Sequence, residues 1–189
     1  GLVGWGVMFN LLIGIAVKLS AYREQMILRR FLATPLRIWR FFVALFFAHI
    51  LLAVVQTCAL LVAGVLIFGA DIHGNVLWIF VLVICSCPIF LNIGVILSAI
   101  AKTPAAASGI GNAVVFPMMF FSGVFFPVES FPRILSDLTV ISPLKALLDP
   151  LRQVGIHGGV PWDLPWSLAL LGVWLIGSSL LALRTFKFR

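Results

Sequence analysis

Five runs of mainly apolar residues, 1–19, 41–68, 76–101, 105–126 and 166–183, constrain this chain more than any other feature. A helix rises about 1.5 Å per residue, so roughly 20 such residues cross the hydrocarbon of a bilayer. In that solvent every backbone N–H and C=O must be satisfied within the protein, and a continuous apolar run achieves this as a helix. A β-barrel would instead show alternating segments of about ten residues. The chain therefore reads as an all-α integral membrane protein, one transmembrane domain with five transmembrane helices. Composition agrees: 62% of the 189 residues are hydrophobic and 10% are charged, whereas a soluble domain carries about 45–50% and about 25%. The second and third runs exceed a perpendicular crossing, which allows tilt.

Charge orients these spans. Lys18, Arg23, Arg29, Arg30, Arg37 and Arg40 surround the first loop, 20–40; Lys102 sits in the third; Arg184, Lys187 and Arg189 form the tail. Only Arg133, Lys145 and Arg152 lie on the other side. By the positive-inside rule the first loop, the third loop and the C-terminus are cytoplasmic, and the start of the chain and region 127–165 face outward. A multi-pass protein of the plasma (inner) membrane is expected. The net charge of +7 then belongs beside anionic lipid and implies no nucleic acid. The chain opens on Gly1 with neither Met nor a signal-like pattern, so an earlier span is expected ahead of it.

The chemistry inside the spans is sparse. Glu24, Asp71, Glu129, Asp137, Asp149 and Asp163 all lie outside them, which weighs against a carboxylate proton relay, although backbone carbonyls can hold sodium. His49, His73 and His157 are far apart with no H-E-x-x-H, so no metal site is expected. Lys102-Thr103 lacks the glycines of a phosphate loop, so the chain carries no ATPase site or cofactor of its own and no catalytic residue is assigned. No G-x-S-x-G occurs, and an intramembrane hydrolase would have to rely on His49 with Ser122. Cys58, Cys85 and Cys87 read as small packing residues. The remaining intramembrane polar groups are neutral: Asn10, Gln56, Thr57, Asn92, Ser98, Ser108, Asn112, Ser178 and Ser179, with His49. His49 and Gln56, seven apart, share a helix face. With Asn92 and Asn112 they are candidates for a translocation path, the alternative being hydrogen bonds between helices. Small residues at Gly94/Ser98 and Ser108/Asn112 permit close helix approach.

Two segments outside the spans carry further information. A helix from 21 to 33 would place Ile27, Leu28, Phe31 and Leu32 opposite Arg23, Arg29 and Arg30, with Glu24 on the apolar side and Pro35 ending it. Such a segment is either an anchor on anionic lipid or a docking surface for a cytoplasmic partner. Region 127–165 is broken by Pro127, Pro132, Pro143, Pro150, Pro161 and Pro165, yet it is too apolar for a solvated loop. Ser142-Pro143 predicts a helix start and Gly155 its close. Two short re-entrant helices are expected there, acting as a gate or as a lid.

The run YREQMILRRFLATPL at 22–36 resembles the E-x-x-x-x-(L)-(R/K)-R-L-x-x-T-P-L signature of the type-two ATP-binding-cassette (ABC) permeases. FPMMFFSGVFFPVESFP at 116–132 is similar to that family's P-x-x-x-x-S-G-x-x-(F/Y)-P-x-x-x-x-P segment, and Ser142-Pro143-Leu144 to its following S/N-P-L/M. The resemblance covers nearly the whole chain. It implies the second to sixth spans of a six-span permease half, which pairs with a second half as a homo- or heterodimer and binds an ABC ATPase subunit holding ATP and Mg. It puts Glu24, Arg29, Arg30, Thr34 and Pro35 in the coupling region, and Ser122, Gly123, Pro127, Pro132 and Pro143 in the external re-entrant gate. The implied function is export of an amphiphilic or lipid-linked substrate such as a drug, antibiotic or glycan. The 17 Phe and 6 Trp suit such a cargo. A membrane scaffold without transport is the alternative.

Overall fold

In the computed structural model the described residues are 1–26, 38–69, 73–123, 139 and 141–185. They form α1 (Leu2–Glu24), α2 (Ile38–Phe68), α3 (Val76–Ile100), α4 (Pro104–Phe120), α5 (Pro143–His157) and α6 (Pro165–Thr185), with a 3₁₀ turn at Pro161–Asp163. No strand occurs among them. The protein is an all-α membrane protein: α1, α2, α3 and α6 are long and apolar enough to cross a bilayer. Helix α4, at 17 residues, rises roughly 26 Å and is shorter than these, so four of the five expected spans reach that length among the described residues.

Local chemistry sets several of the boundaries. Asn75 caps α3 by accepting from the Leu77 amide at 2.9 Å, and Thr103 caps α4 by accepting from the Ala106 amide at 3.2 Å, with Pro104 in the first turn. Helix α5 starts at Pro143 as predicted, but the Ser142 hydroxyl makes no capping bond. It ends at Gly158 rather than at Gly155, because Gly158 takes the left-handed conformation (φ +67°) and the Gly159 amide reaches back to the Gln153 carbonyl at 3.1 Å. Pro150, expected to break this region, lies inside α5 and is buried.

Other boundaries shift. Residues 21–24 complete α1 instead of opening a separate amphipathic helix, and the chain then turns through Gln25 and Met26, whose φ is +55°. Helix α4 stops at Phe120, six residues before the predicted end, in a turn through Ser122 and Gly123, where φ is +74°. The rest of the expected amphipathic segment, with Arg29, Arg30, Thr34 and Pro35, lies outside the described residues, as do Pro127 and Pro132.

Helix α3 is the most central, packing against every other helix, and α6 packs against it and α5; beside it α1 packs against α2, α3, α4 and α5. Its Met8, Leu11, Leu12, Ile15 and Leu19 are buried together with Phe90 and Leu91 of α3 and Leu144, Leu147 and Leu148 of α5. Half of the α1 apolar window and 56% of that of α3 are buried, against 11% for α2 and 22% for α6. The exposed apolar faces of α2 and α6, with Leu66, Ile67 and Leu183 the most open, are the surfaces that lipid or other helices solvate in place of water.

Candidate functional site

At the end of the bundle where α1 leaves for residue 27, Arg23 donates from Nη1 to the Ser98 carbonyl at 2.8 Å. That carbonyl belongs to the last turn of α3, where no helical N–H remains to bond it, and a guanidinium is a strong partner for such an orphan acceptor. Glu24 beside it is exposed. Glu24, the first residue of the predicted coupling region, thus continues α1, whose end is tied through Arg23 to the last turn of α3.

Between α1 and α2 runs a groove of about 620 Å³. Trp5 and Phe9, with ring centroids 5.7 Å apart, and Leu52 and Val55 form its walls. Asn10 and Gln56 also line it, and Asn10 Nδ2 donates to Gln56 Oε1 at 3.1 Å. Gly6 and Gly14 leave the space these polar groups occupy: a methyl at Gly6 would sit 2.5 Å from Gln56 Nε2, and one at Gly14 would sit 3.4 Å from Asn10 Oδ1 and 3.8 Å from His49 Nε2. One turn further on, buried His49 bonds through Nδ1 to the Leu45 carbonyl at 2.8 Å, and Nε2 stands 3.5 Å from Lys18 Nζ. This pairing fits an imidazole that donates from Nδ1 and accepts at Nε2. Lys18, read from sequence as a flank of the first loop, is exposed on α1 with its ammonium turned to His49.

The other predicted path residues are elsewhere. Asn92 of α3 donates to Ser179 Oγ of α6 at 2.9 Å and serves as a bond between those helices. Asn112 is half-buried on α4 and lines no part of the groove. His49 and Ser122 do not form a dyad: the Ser122 hydroxyl donates to the Met119 carbonyl at 2.8 Å, and the histidine nitrogens are engaged with Leu45 and Lys18. Of the three cysteines, Cys87 is buried with its thiol 3.2 Å from the Val83 carbonyl, whereas Cys58 and Cys85 are exposed. Only Cys87 is a packing residue.

At the opposite end of the bundle, α5 folds back under the chain. Arg152 donates from Nη2 to the Gly123 carbonyl, fastening α5 to the turn after α4. The His73 amide donates to the Gly155 carbonyl at 3.3 Å, and Gly74 lies directly on the Val154 carbonyl with no room for a side chain. Burial pushes the Asp149 carboxyl above its ordinary range, with Lys145 and Arg152 partly offsetting it. Pro143, Ser122 and Gly123 are thus brought into one assembly, with Arg152 as its clasp. Arg152, Asn10 and Lys18 were not among the residues singled out for these roles. A signal for the latter two was present: Gly6, Asn10, Gly14 and Lys18 recur every four residues on one side of α1. Among the described residues no three His, Cys, Asp or Glu side chains gather to hold a metal.

The sequence profile of one family, described as ABC-2 type transporter, matches residues 1–155. The chain is similar to the "Probable multidrug ABC transporter permease YbhR" of Escherichia coli (strain K12), 26% identical over 167 residues, 86% of this chain and 45% of that protein. It is also similar to "ABC transporter G family member 20" of Dictyostelium discoideum, 26% identical over 133 residues, 69% of this chain and 18% of that protein. "Probable multidrug ABC transporter permease YbhS" of Escherichia coli (strain K12) is 24% identical over 102 residues, 53% of this chain and 27% of that protein. The chain spans less than half the length of these curated relatives.

Proposed function

The chain belongs to the ABC-2 type transporter family, and from that premise we propose that it forms the transmembrane path of an ABC exporter, moving an amphiphilic or lipid-linked substrate outward. ATP and Mg are bound by a partner ATPase subunit, and a second permease half completes the path. The end of the bundle with Arg23, Glu24 and Lys102 is cytoplasmic on this reading, and α5 with the Ser122-Gly123 turn is the external gate. Names of two relatives contain "multidrug", which agrees with an amphiphilic cargo.

One observation carries the proposal: the helix that leads toward the basic segment is one of the two central helices of the bundle and is bonded at its end to the other. Helix α1 touches four of the other five helices, and Arg23 at its end holds the Ser98 carbonyl in the last turn of α3, which touches all five. A partner that engages the end of α1 at Arg23 and Glu24 therefore displaces α1 and the last turn of α3 together. A ligand such as ATP shifts a conformational equilibrium only by its differential affinity for the two states; that difference arises in the ATPase, and α1 carries it into the bundle.

The test is co-purification of the natural full-length protein in mild detergent, with ATPase activity measured on the complex. The expected result is an ATP-hydrolysing subunit that stays with the wild type and is lost from Arg29→Glu/Arg30→Glu, while the variant still elutes as a single folded species. Retention of the ATPase by the variant would make the basic segment a lipid anchor. Absence of any ATPase from the intact wild type would overturn the exporter reading.

A further inference from the structure

The hydrogen bond between Asn10 and Gln56 uses only part of what the two carboxamides offer. It consumes one amide hydrogen of Asn10 and one lone pair of Gln56. Among the described residues no partner takes the Gln56 amide hydrogens or the Asn10 carbonyl oxygen. Neither atom is sealed away from the surface, and both residues line the groove. Gln56 lies twelve residues before the end of α2, about 18 Å along the helix axis, and Asn10 is bonded to it across the groove, so these donors and acceptor stand at a depth where water is scarce. Polar groups left in that position are costly unless something satisfies them.

We propose that this groove binds the uncharged hydrogen-bonding head of an amphiphile, a carboxamide or hydroxyl carried on an apolar chain. The head inserts between Asn10 and Gln56, accepting from the Gln56 amide and donating to the Asn10 carbonyl, and the chain lies against Trp5, Phe9, Leu52 and Val55. A volume of about 620 Å³ falls within the range of small-molecule pockets, about 300–1,000 Å³, and the mix of apolar walls with a few convergent polar groups is theirs as well. Charge narrows the class. Neither α2 nor α1 before Glu24 contains an acidic residue, so a cationic head meets no counter-charge. Lys18, two turns beyond Asn10 on α1, has its ammonium set against His49 Nε2 at 3.5 Å and supplies no charge between the carboxamides. The inference rests on the exporter reading only in treating the bound molecule as cargo; the site itself does not depend on transport.

The test uses the natural full-length protein in lipid nanodiscs without nucleotide, with tritiated oleamide as the probe and methyl oleate and oleylamine as competitors. Saturable oleamide binding is expected, weakened at least tenfold by Asn10→Leu and by Gln56→Met, with both competitors at least tenfold poorer than unlabelled oleamide. Quenching of tryptophan fluorescence by 9,10-dibromostearamide supplies a second readout: Trp5→Phe should remove the saturable component while oleamide still binds. Equal competition by methyl oleate, unchanged affinity in both carboxamide variants, or saturable quenching that persists without Trp5 would overturn the proposal. So would the absence of saturable binding in monodisperse wild type, as expected if another helix fills the groove. An exporter that lacks this binding would leave the functional reading standing, and binding without any ATPase partner would separate the site from export.

Discussion

A methyl group at Gly94 would meet Ile15 Cγ2 and come within 2.6 Å of the Leu12 carbonyl oxygen. The missing side chain is what lets α3 approach α1, and lipid-solvated helices associate mainly through such packing. Gly94→Ala is therefore expected to destabilise the bundle by about 1–3 kcal/mol, the usual cost of overpacking. Gly109, with nothing within 4 Å, provides the contrast: Gly109→Ala should be neutral or stabilising by roughly 0.5–1 kcal/mol through helix propensity. Thermal loss of the folded peak in size-exclusion chromatography measures both. The spacing Gly94/Ser98 pointed to this contact, but the same spacing at Ser108/Asn112 did not mark the corresponding one on α4. There the close approach is made by Gly111, whose absent methyl would lie 3.1 Å from Ile13 Cγ1. Small residues permit an approach, and only the partner helix decides which of them is used.

At the scale of elements, apolar length was legible and termini were less so. The capping residues of α3 and α4 and the proline start of α5 follow local rules. Helix α5 departs from them in the middle, where Pro150 should interrupt the backbone ladder, yet its neighbours Leu147, Leu148 and Leu151 are buried and hold the helix through it. Two glycines were available to end it, and nothing in the sequence separates them. The structure gives the left-handed conformation to Gly158 and leaves Gly155 helical with nothing within 4 Å of its missing methyl. Gly158→Ala should cost about 1–2 kcal/mol, since an L-residue is strained there, and Gly155→Ala should cost nothing. A thermal melt in which Gly155→Ala falls further than Gly158→Ala would show that the helix ends at the earlier glycine. The two-residue turn after α1 is likewise a tertiary result: the bond from Arg23 to Ser98 holds the last turn of α1 against α3, where the amphipathic pattern alone would have begun a new helix.

For the whole molecule the informative quantity is which surfaces lie inside the bundle. Cys58 and Cys85 are exposed and Cys87 is buried, so Cys87→Leu should overpack the interior face of α3 and cost about 1–3 kcal/mol, while Cys58→Leu and Cys85→Leu should leave the melt unchanged, read as thermal loss of the folded peak in size-exclusion chromatography. An equal loss in Cys85→Leu and Cys87→Leu would contradict the packing of α3. The sequence by itself determined that this chain is a bundle of membrane helices, since bilayer thickness and the demand for internal backbone pairing act on each apolar run separately, wherever its neighbours are. It also identified His49 and Gln56 as polar groups on one face of α2. Which groups pair with them was decided by tertiary structure, which brings up Lys18 and Asn10 of α1. Helices α1, α2 and α3 are apolar on every side, so amphipathicity does not orient them, and a contact between residues 46 positions apart arises only when two such helices choose the same face to share.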